Sequence, residues 1–363
     1  MLPHDKLFTP GPVEVSPKTL AAFSRPMIGH RGEDFKNLYR DVHPKLQTLF
    51  GTKQPIFLST SSAWGVMEAS IRNLVGDKGQ SSSGLLCCMC GAFSDKWLDV
   101  ARRCGKNAEP MQVDWGKHID QKDVDRALAS GKFDTVTLIH NETSTGVMNP
   151  LPEICCTLAK YPDVILILDT VSSFSAMKID MDALGIDVML TGAQKALALP
   201  PGFSLFSVSE KGFSRAEKQK DRGYYFDFLE FKKQQTEWMT PSTPSIGHIF
   251  ALQSKLDEIL EESLDARFAR HSRTNALVHD WVKETGFDFF AEEGFRSKTL
   301  TCVKNNKGID VVDLARKLRE KHHLIIDPGY GKLRGKTFRL SNMGDETEET
   351  VSHLLACLDD VLK

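Results

Sequence analysis

Short apolar runs alternate with stretches of helical spacing through the N-terminal part of the chain. In order, the runs read PIFLS, GLLCCMC, EPMQV, TVTLIH, VILIL, DVMLT and FSLFSV. Strands and helices that alternate in this way form a mostly parallel sheet with helices packed on it, because parallel neighbours need a crossover between them. We therefore predict an α/β fold. Open sheets of this kind bind ligands beyond the carboxyl ends of their strands, so the residues that follow each run are candidates for a functional site.

The C-terminal part of the chain has a different pattern. The segment TPSTPS, at residues 240–245, interrupts the chain before a long helical stretch. A second helical segment follows, then the strand KTLTCV, a helix over IDVVDLARKLREK, the strand pair LIIDPG and KTFRLSN, and a closing helix. At 363 residues the chain exceeds the usual size of a single core. We predict that residues 1–245 form an N-terminal segment plus a large domain, and that residues 246–363 form a smaller α+β domain.

Composition narrows the class of function. The formal net charge is −2, with 41% apolar and 26% charged residues, so no global field favours nucleic acid or a membrane surface. The opening segment MLPHDKLFTPGPVEVSP lacks the basic start and apolar core of a signal peptide, and no apolar run approaches the length that spans a bilayer. These features predict a cytoplasmic protein that acts on small molecules.

Three further patterns resemble sites without fitting them. The eight cysteines are mostly embedded in apolar segments, which favours reduced, buried thiols. Cys87 and Cys90 form a CxxC, but no second pair accompanies it, so we predict no metal site. The segment GYGKLRGKT fails as a phosphate loop because Tyr330 occupies the position of the first glycine. No GxGxxG follows an early strand, which argues against a nucleotide-binding oxidoreductase.

Two polar residues at strand ends point to one cofactor. Lys195 follows the run DVMLT, and a lysine held beside an apolar segment has a lowered pKa and a nucleophilic neutral form. Asp169 ends the run VILIL one strand earlier. A lysine that forms a Schiff base, with a carboxylate that pairs with a protonated pyridine nitrogen, is the arrangement that pyridoxal phosphate requires. The pair is more informative than either residue alone.

Other strand ends fit the same cofactor. The strand PIFLS runs into TSSAWGVMEA, where a helix begins after small hydroxyl residues, and such a helix N-terminus can bind a phosphate. Ordinary capping by serine or threonine is the alternative. Phe93, after GLLCCMC, is either a core residue or an aromatic that stacks on a flat ring. A polar tip at residues 141–145 follows TVTLIH at the same edge.

Taken together, these residues resemble the class V aminotransferases of pyridoxal-phosphate fold type I, in particular the alanine:glyoxylate and serine:pyruvate branch. The matching motifs occur in family order over nearly the whole chain: TPGPVEV, GHRGEDF, STSSAWGVMEA, CGAF, HNETSTGV, LDTVSS, TGAQKAL, TPSTPS and FRLSNMG. Ordered agreement of so many short motifs is far more specific than any one of them. The resemblance implies a large domain with a mostly parallel sheet and a smaller C-terminal α+β domain.

The resemblance also implies a role for each matching position. For pyridoxal phosphate, it implies Lys195 as the Schiff-base lysine, Asp169 as the pyridine-nitrogen partner, Phe93 and Val171 on the two ring faces, Thr143 near the ring hydroxyl, Ser62, Ala63, Trp64 and Gln194 around the phosphate, and Thr243 contributed by a neighbouring subunit. For the substrate, it implies Arg339 on the α-carboxylate and Gly11, in the turn FTPGP, beside it. A homodimer is therefore expected.

The phosphate turn departs from the family pattern. Ser61 and Ala63 stand where family members usually have glycine, and the bulky Trp64 stands where a small residue, a polar residue or histidine is common. Thr240 replaces a tyrosine that some animal members carry. These differences concern the choice of substrate more than the binding of the cofactor.

The reaction that the resemblance implies moves an amino group from alanine or serine to glyoxylate or pyruvate. Phosphoserine, aspartate or an aminophosphonate remains open as the donor. A lyase or cysteine desulfurase would need a nucleophilic cysteine on a mobile loop, whereas Cys302 lies in a strand pattern and Cys357 in the terminal helix pattern. A non-catalytic binding protein of the same fold is the remaining alternative.

Overall fold

The structure is a computed structural model that describes residues 4–76 and 84–363. The first part of the chain contains β1 (Lys6–Leu7), α1 (Pro17–Phe23), α2 (Glu33–Phe50), β2 (Ile56–Ser59), α3 (Ala63–Leu74), β3 (Leu85–Met89), α4 (Ala92–Arg103), β4 (Ala108–Gln112), α5 (Gln121–Leu128), β5 (Thr135–Ile139), β6 (Asn141–Glu142), β7 (Val147–Met148), α6 (Leu151–Leu158), β8 (Ile165–Asp169), β9 (Val188–Gly192), β10 (Ser204–Val208), α7 (Glu210–Glu217) and α8 (Phe228–Thr236). The second part contains α9 (Ile246–Glu262), α10 (Leu264–Glu284), β11 (Asp288–Phe289), β12 (Leu300–Lys304), α11 (Val311–His322), β13 (Leu324–Ile325), a short 3₁₀ helix (Gly331–Leu333), β14 (Thr337–Ser341) and α12 (Glu348–Leu362).

A seven-stranded sheet in the order β2-β10-β9-β8-β5-β3-β4 forms the centre of the fold. The strands from β9 to β4 are parallel, and β10 alone runs antiparallel to both of its neighbours. Six of the strands consist only of buried residues, which is why they appear in the sequence as continuous apolar runs. The edge strand β4 is more exposed and tolerates Pro110. The predicted α/β fold with a mostly parallel sheet is confirmed.

Helices cover both faces of this sheet. Successive strand residues point to opposite faces, so in β3 the side chain of Leu86 joins one core while Leu85 and Cys87 join the other. The first core packs against α2, α5, α6 and α9, and the second against α3, α4, α7 and α8. Because apolar cores cover both faces of the sheet, polar residues lie at its carboxyl edge.

The C-terminal part builds a separate apolar cluster. The antiparallel sheet β11-β12-β14 packs against α10, α11 and α12, with Val278, Leu314, Phe338 and Leu354 in its core. The predicted strand pair LIIDPG and KTFRLSN is confirmed only in part. β13 pairs in parallel with β1, and a single bridge between Asp327 and Arg339 links the two segments. The hydrophobic pattern could not reveal this, because the partner of β13 lies at the far end of the chain.

The predicted division at residues 245 and 246 stays a prediction. α9, which follows that point, packs its apolar face into the first core of the large sheet. Among the helices in residues 4–76 and 84–363, none is long and apolar enough to cross a membrane.

Candidate active site

The residues at the carboxyl ends of the central strands surround a partly open cavity. Every predicted cofactor residue except Thr243 contributes to its lining, together with four others. The lining consists of Ser62, Ala63, Trp64, Met67, Phe93, Ile139, Asn141, Thr143, Asp169, Val171, Ser172, Gln194 and Lys195. The sequence motifs that are far apart along the chain therefore meet at one edge of the sheet.

Lys195 lies in the turn that follows β9. Its Nζ donates a hydrogen bond to Thr143 Oγ1 at 3.1 Å and lies 5.0 Å from the centre of the Phe93 ring. Burial lowers the pKa of Lys195 from its ordinary value of 10.5 to about 8; Arg339 adds to this effect and Asp169 opposes it. The amine is therefore neutral in a large fraction of molecules at mildly alkaline pH, which makes it available as a nucleophile.

Asp169 ends β8, one strand away from Lys195, and is almost fully buried. Its Oδ1 accepts a hydrogen bond from the Val171 backbone N–H at 2.8 Å. Burial raises the pKa of Asp169 to about 6, against the lowering effects of that N–H and of Lys195. A carboxylate desolvated in this way gains from a cationic partner inside the cavity, as a protonated pyridine nitrogen would be.

The titration of Lys195 gives a direct test of this environment. We expect the rate at which pyridoxal phosphate attaches to the cofactor-free protein to rise with pH through a midpoint near 8, because the lowered pKa populates the neutral amine well below 10.5. Absorbance changes followed over a range of pH would measure the midpoint. Asp169→Asn should move it lower, since the Asp169 carboxylate opposes the fall in the Lys195 pKa. A rate that climbs only above about pH 10, the range of an ordinary lysine, would contradict this environment.

The phosphate turn lies at the start of α3. Ser62 is the N-cap residue, yet its side chain makes no capping hydrogen bond, so it does not occupy the first N–H groups of the helix. Trp64 packs back onto Trp97, with ring centres 6.4 Å apart, while still lining the cavity. Ser61 is held by hydrogen bonds with the hydroxyls of Ser59 and Ser204. The turn therefore keeps an open helix N-terminus despite its lack of the usual glycines.

Two polar atoms of residues that line this cavity lack hydrogen-bond partners in the described part of the chain. Gln194 Oε1 and Asn141 Oδ1 are buried and have no hydrogen-bond partner within the described part of the chain. Buried polar atoms rarely stay unpaired in native proteins, so a bound molecule with polar groups would relieve both. The cavity combines a nucleophilic lysine, a buried carboxylate, an aromatic face and a helix N-terminus. These residues fit pyridoxal phosphate.

Arg339 lies in β14, and its guanidinium reaches the same site. Nε donates to Asp327 Oδ1 at 2.8 Å, and Nη1 donates to the backbone oxygen of Thr143 at 2.8 Å. Nη2 makes no hydrogen bond to any described residue. Two bonds thus fix the plane of the guanidinium while one edge stays available for a carboxylate. Asp327, which sets this orientation, could not be found from the sequence because the bond depends on the β14 register.

Gly11 packs directly against the side chain of Lys195. Its φ is +128°, and a Cβ at this position would lie 2.9 Å from Cγ of Lys195. The Val13 backbone N–H donates to the Gln194 carbonyl at 3.1 Å, which holds the N-terminal turn in place. The contact seen here is with Lys195; direct contact of Gly11 with the substrate stays a prediction.

Gly11→Ala should therefore destabilise the protein and displace Lys195. We expect a cost of about 1–3 kcal/mol from the backbone conformation, plus the clash with Lys195. Gly105→Ala is a matched control, because Gly105 also has a positive φ of +72° but open space around it. Urea denaturation of both variants would separate backbone strain from the clash. Equal destabilisation, with unchanged attachment of the cofactor, would contradict the role of the close contact.

Thr243 is exposed and lies outside the cavity lining. Its loop is tied to the phosphate turn through Ser245, whose backbone N–H donates to Thr60 Oγ1 at 2.9 Å. The contribution of Thr243 to a second subunit stays a prediction.

Glu142 is a site residue that the sequence analysis missed. It is fully buried, and its two oxygens accept four hydrogen bonds, from the backbone N–H and hydroxyl of Ser94 and from the same groups of Ser144. Ser94 follows Phe93 and Ser144 follows Thr143, so one carboxylate fixes both neighbours of Lys195. A Cβ at Gly91 would lie 2.4 Å from Cγ of Glu142, which leaves room only for glycine there. The hydroxyl-rich segment NETSTG was the sequence signal that could have pointed to Glu142.

This fold and site define a class of protein: an α/β enzyme with a lysine and a carboxylate at adjacent strand ends and an arginine that faces them. The chain belongs to the aminotransferase family described as Aminotransferase class-V, whose model matches residues 15–332. It is thus a class V aminotransferase, of a family that depends on pyridoxal phosphate. Lys195 and Asp169 both line the cavity of this site. The roles that the resemblance implies for them stay predictions.

Three comparisons illustrate the similarity. An uncharacterized aminotransferase of Methanocaldococcus jannaschii is 36% identical, over 98% of this chain and 92% of that protein. A serine–glyoxylate aminotransferase of Arabidopsis thaliana is 31% identical, over 98% of this chain and 90% of that protein. The crystal structure of an alanine–glyoxylate aminotransferase from Nostoc sp. has a TM-score of 0.94 and 27% identity, covering 100% of this chain and 96% of that one.

Proposed function

We propose that this protein uses pyridoxal phosphate to transfer the amino group of alanine or serine to glyoxylate or pyruvate. One observation carries the proposal: Lys195 Nζ lies between Thr143 and the Phe93 ring, with its pKa lowered to about 8 beside a buried Asp169. The relatives named as serine–glyoxylate and alanine–glyoxylate aminotransferases support a small donor.

The cofactor, when bound, supplies an electron sink for the substrate Cα and carries the amino group between the two substrates. Lys195 holds it covalently before the donor arrives. The Lys195 amine, when free, would be placed to take the proton from Cα of the donor and to return it. A pKa near the working pH suits both halves of this proton transfer.

Other residues of the chain orient the reactants. Asp169 would favour the protonated form of the pyridine nitrogen through its negative charge, and Phe93 and Val171 would hold the ring of the cofactor. The N-terminus of α3 and Gln194 hold the phosphate. Arg339 receives the α-carboxylate of the donor on its available edge, so that Cα lies within reach of Lys195.

The absorption spectrum of the purified protein tests this function. We expect a visible band from the attached cofactor that L-alanine or L-serine removes and that glyoxylate or pyruvate restores. A response to L-aspartate, phosphoserine or an aminophosphonate instead would keep the aminotransferase and change the donor. A band that no donor moves would favour the non-catalytic alternative, and no band after addition of pyridoxal phosphate would overturn the role of Lys195.

A desulfurase finds little support in the cysteines. Cys302 lies buried in β12, and burial raises the pKa of its thiol to about 12. A thiol of that kind is a poor nucleophile near neutral pH. Release of sulfide from L-cysteine would reverse this judgement.

We also propose that the protein is a cytoplasmic homodimer in which Thr243 completes the partner's phosphate site. Two exposed aromatic residues lie close to this region: Tyr224 and Tyr225, of which the second donates a hydrogen bond to the Thr60 carbonyl at 3.1 Å. Thr60 also holds the loop that carries Thr243, through Ser245. Sedimentation of the wild type and of Tyr224→Lys would test the interface, and a fully active monomer would contradict it.

A further inference from the structure

Tyr330 contacts two residues that the proposed function uses, Phe93 and Arg339. Its ring packs on the Phe93 ring, with centres 5.0 Å apart and planes 25° apart. On another side, Cζ of Arg339 lies 5.4 Å from the centre of the Tyr330 ring. Tyr330 remains 37% exposed, so part of its ring faces solvent. The ring therefore links Phe93, which lines the cavity, to Arg339, and it is partly open to solvent.

The loop that carries Tyr330 is fixed to Arg339 itself. Asp327 Oδ1 accepts hydrogen bonds from Arg339 Nε and from the Gly329 backbone N–H, both at 2.8 Å. Gly329 has a φ of +94°, and a Cβ there would lie 2.5 Å from the Leu333 carbonyl oxygen. A residue with a side chain would not fit this bend. One carboxylate thus sets both the plane of the guanidinium and the start of the Tyr330 loop.

A second anchor joins the loop to the helix that bears Phe93. Lys332 Nζ lies 3.8 Å from the centre of the Trp115 ring, a close cation–π contact. The Trp115 indole N–H donates to Asp95 Oδ2 at 3.2 Å, and Asp95 belongs to α4, two residues after Phe93. The loop is therefore held on both sides of Tyr330, and the ring has a defined position rather than a loose one.

The position of a donor follows from the proposed function, on which this inference rests. With its carboxylate on the available edge of Arg339 and its nitrogen near Lys195 Nζ, the donor has its Cα between the two. Tyr330, in contact with Phe93 and Arg339, borders that space from the solvent side. Tyr330 and Arg339 are not among the residues that line the cavity, so the donor's carboxylate and side chain would lie beside the space that the cofactor occupies.

We propose that Tyr330 is a specificity-determining residue, whose ring closes the donor's side-chain pocket and restricts donors to small side chains such as methyl and hydroxymethyl. Tyr330 would select donors by the size and shape of their side chains. The aromatic ring excludes longer chains, and the cation–π contact keeps Arg339 aligned for the carboxylate. The sequence analysis predicted no role for Tyr330 and used it only to exclude a phosphate loop.

The test compares donors of increasing length on the protein loaded with pyridoxal phosphate. In Tyr330→Ala, the ratio of kcat/KM for L-norvaline to that for L-alanine should rise about tenfold or more, since a methylene or two in a pocket discriminates by roughly 10–200-fold. Tyr330→Val should lie between the wild type and Tyr330→Ala. Tyr330→Phe keeps the ring and should keep the wild-type ratio. An unchanged ratio in Tyr330→Ala, or a wild type that already prefers norvaline, would overturn the proposal.

A binding measurement separates this inference from the proposed function. Straight-chain carboxylates from acetate to valerate can occupy Arg339 without reacting, and the absorption of the attached cofactor reports their dissociation constants. The wild type should bind acetate and propionate more tightly than valerate. In Tyr330→Ala, the ratio of the dissociation constant for valerate to that for propionate should fall about tenfold. The same difference in both proteins, or none in the wild type, would overturn the role of Tyr330. Loss of alanine and serine as donors, with the binding pattern as expected, would overturn only the proposed donor.

Discussion

Lys195→Ala should abolish transamination, with a loss of about 10⁴-fold or more, because it removes both the covalent attachment and the base that moves the Cα proton. The cavity keeps Asp169, Phe93 and the N-terminus of α3, so the cofactor should still bind without a covalent bond. Turnover of L-alanine with glyoxylate would measure the loss of transamination. Dialysis would show whether the cofactor is still bound and whether it can be removed.

Lys160→Ala is a suitable control for this variant. Lys160 lies just beyond α6, with 60% of its side chain exposed in an ion pair with Asp125, and it is remote from the cavity lining. It should keep full activity and the visible band. Substantial residual transamination in Lys195→Ala would contradict the catalytic role of this lysine. If the cofactor no longer bound at all, the other contacts would be too weak to hold it.

Asp169→Asn should lower kcat by about 10²–10³-fold, the usual cost of removing one preorganised electrostatic group from an active site. The asparagine oxygen can still accept the bond from the Val171 N–H, so the geometry survives while the charge is lost. KM for the donor should change little, because Arg339 and its contacts with Asp327 and Thr143 are untouched.

Steady-state kinetics of Asp169→Asn and Asp169→Glu would separate charge from shape. The glutamate variant keeps a negative charge in the same cavity and should retain more activity than the asparagine variant. If Asp169→Asn kept more than about a tenth of kcat, the carboxylate would have no electronic role. A fall confined to KM would instead point to a defect in donor binding.

The central sheet was predictable because its strands are buried on both faces and therefore form continuous apolar runs. The position of Lys195 and Asp169 at one edge followed from the rule that parallel strands end on the same side. The antiparallel direction of β10 did not follow, since an apolar run carries no information about direction. The pairing of β13 with β1 was also hidden, because its partner lies more than three hundred residues away.

Residues that act through distant contacts were the hardest to predict. Glu142 bonds to Ser94 and Asp327 bonds to Arg339, and each bond depends on how two elements are placed by the whole fold. Tyr330 meets Phe93 only because the fold brings the segment before β14 to the start of α4. By contrast, Ser62, Phe93 and Thr143, which the resemblance assigns to one cofactor site, all line one cavity. Ordered motifs carry spatial information that periodicity alone lacks, and the roles of these residues stay predictions.

The contact of Gly11 with Lys195 bears on the order in which this site can be completed during synthesis. The N-terminal segment is held by residues made last: Phe8 bonds through its N–H to the Ile325 carbonyl and accepts a bond from the Ser341 N–H. A growing chain that has not passed residue 341 cannot hold Gly11 against Lys195 in this way. Such a chain keeps the bond between Val13 and Gln194 but lacks at least one of the two bonds that fix Phe8, so we expect it to hold Gly11 less firmly against Lys195.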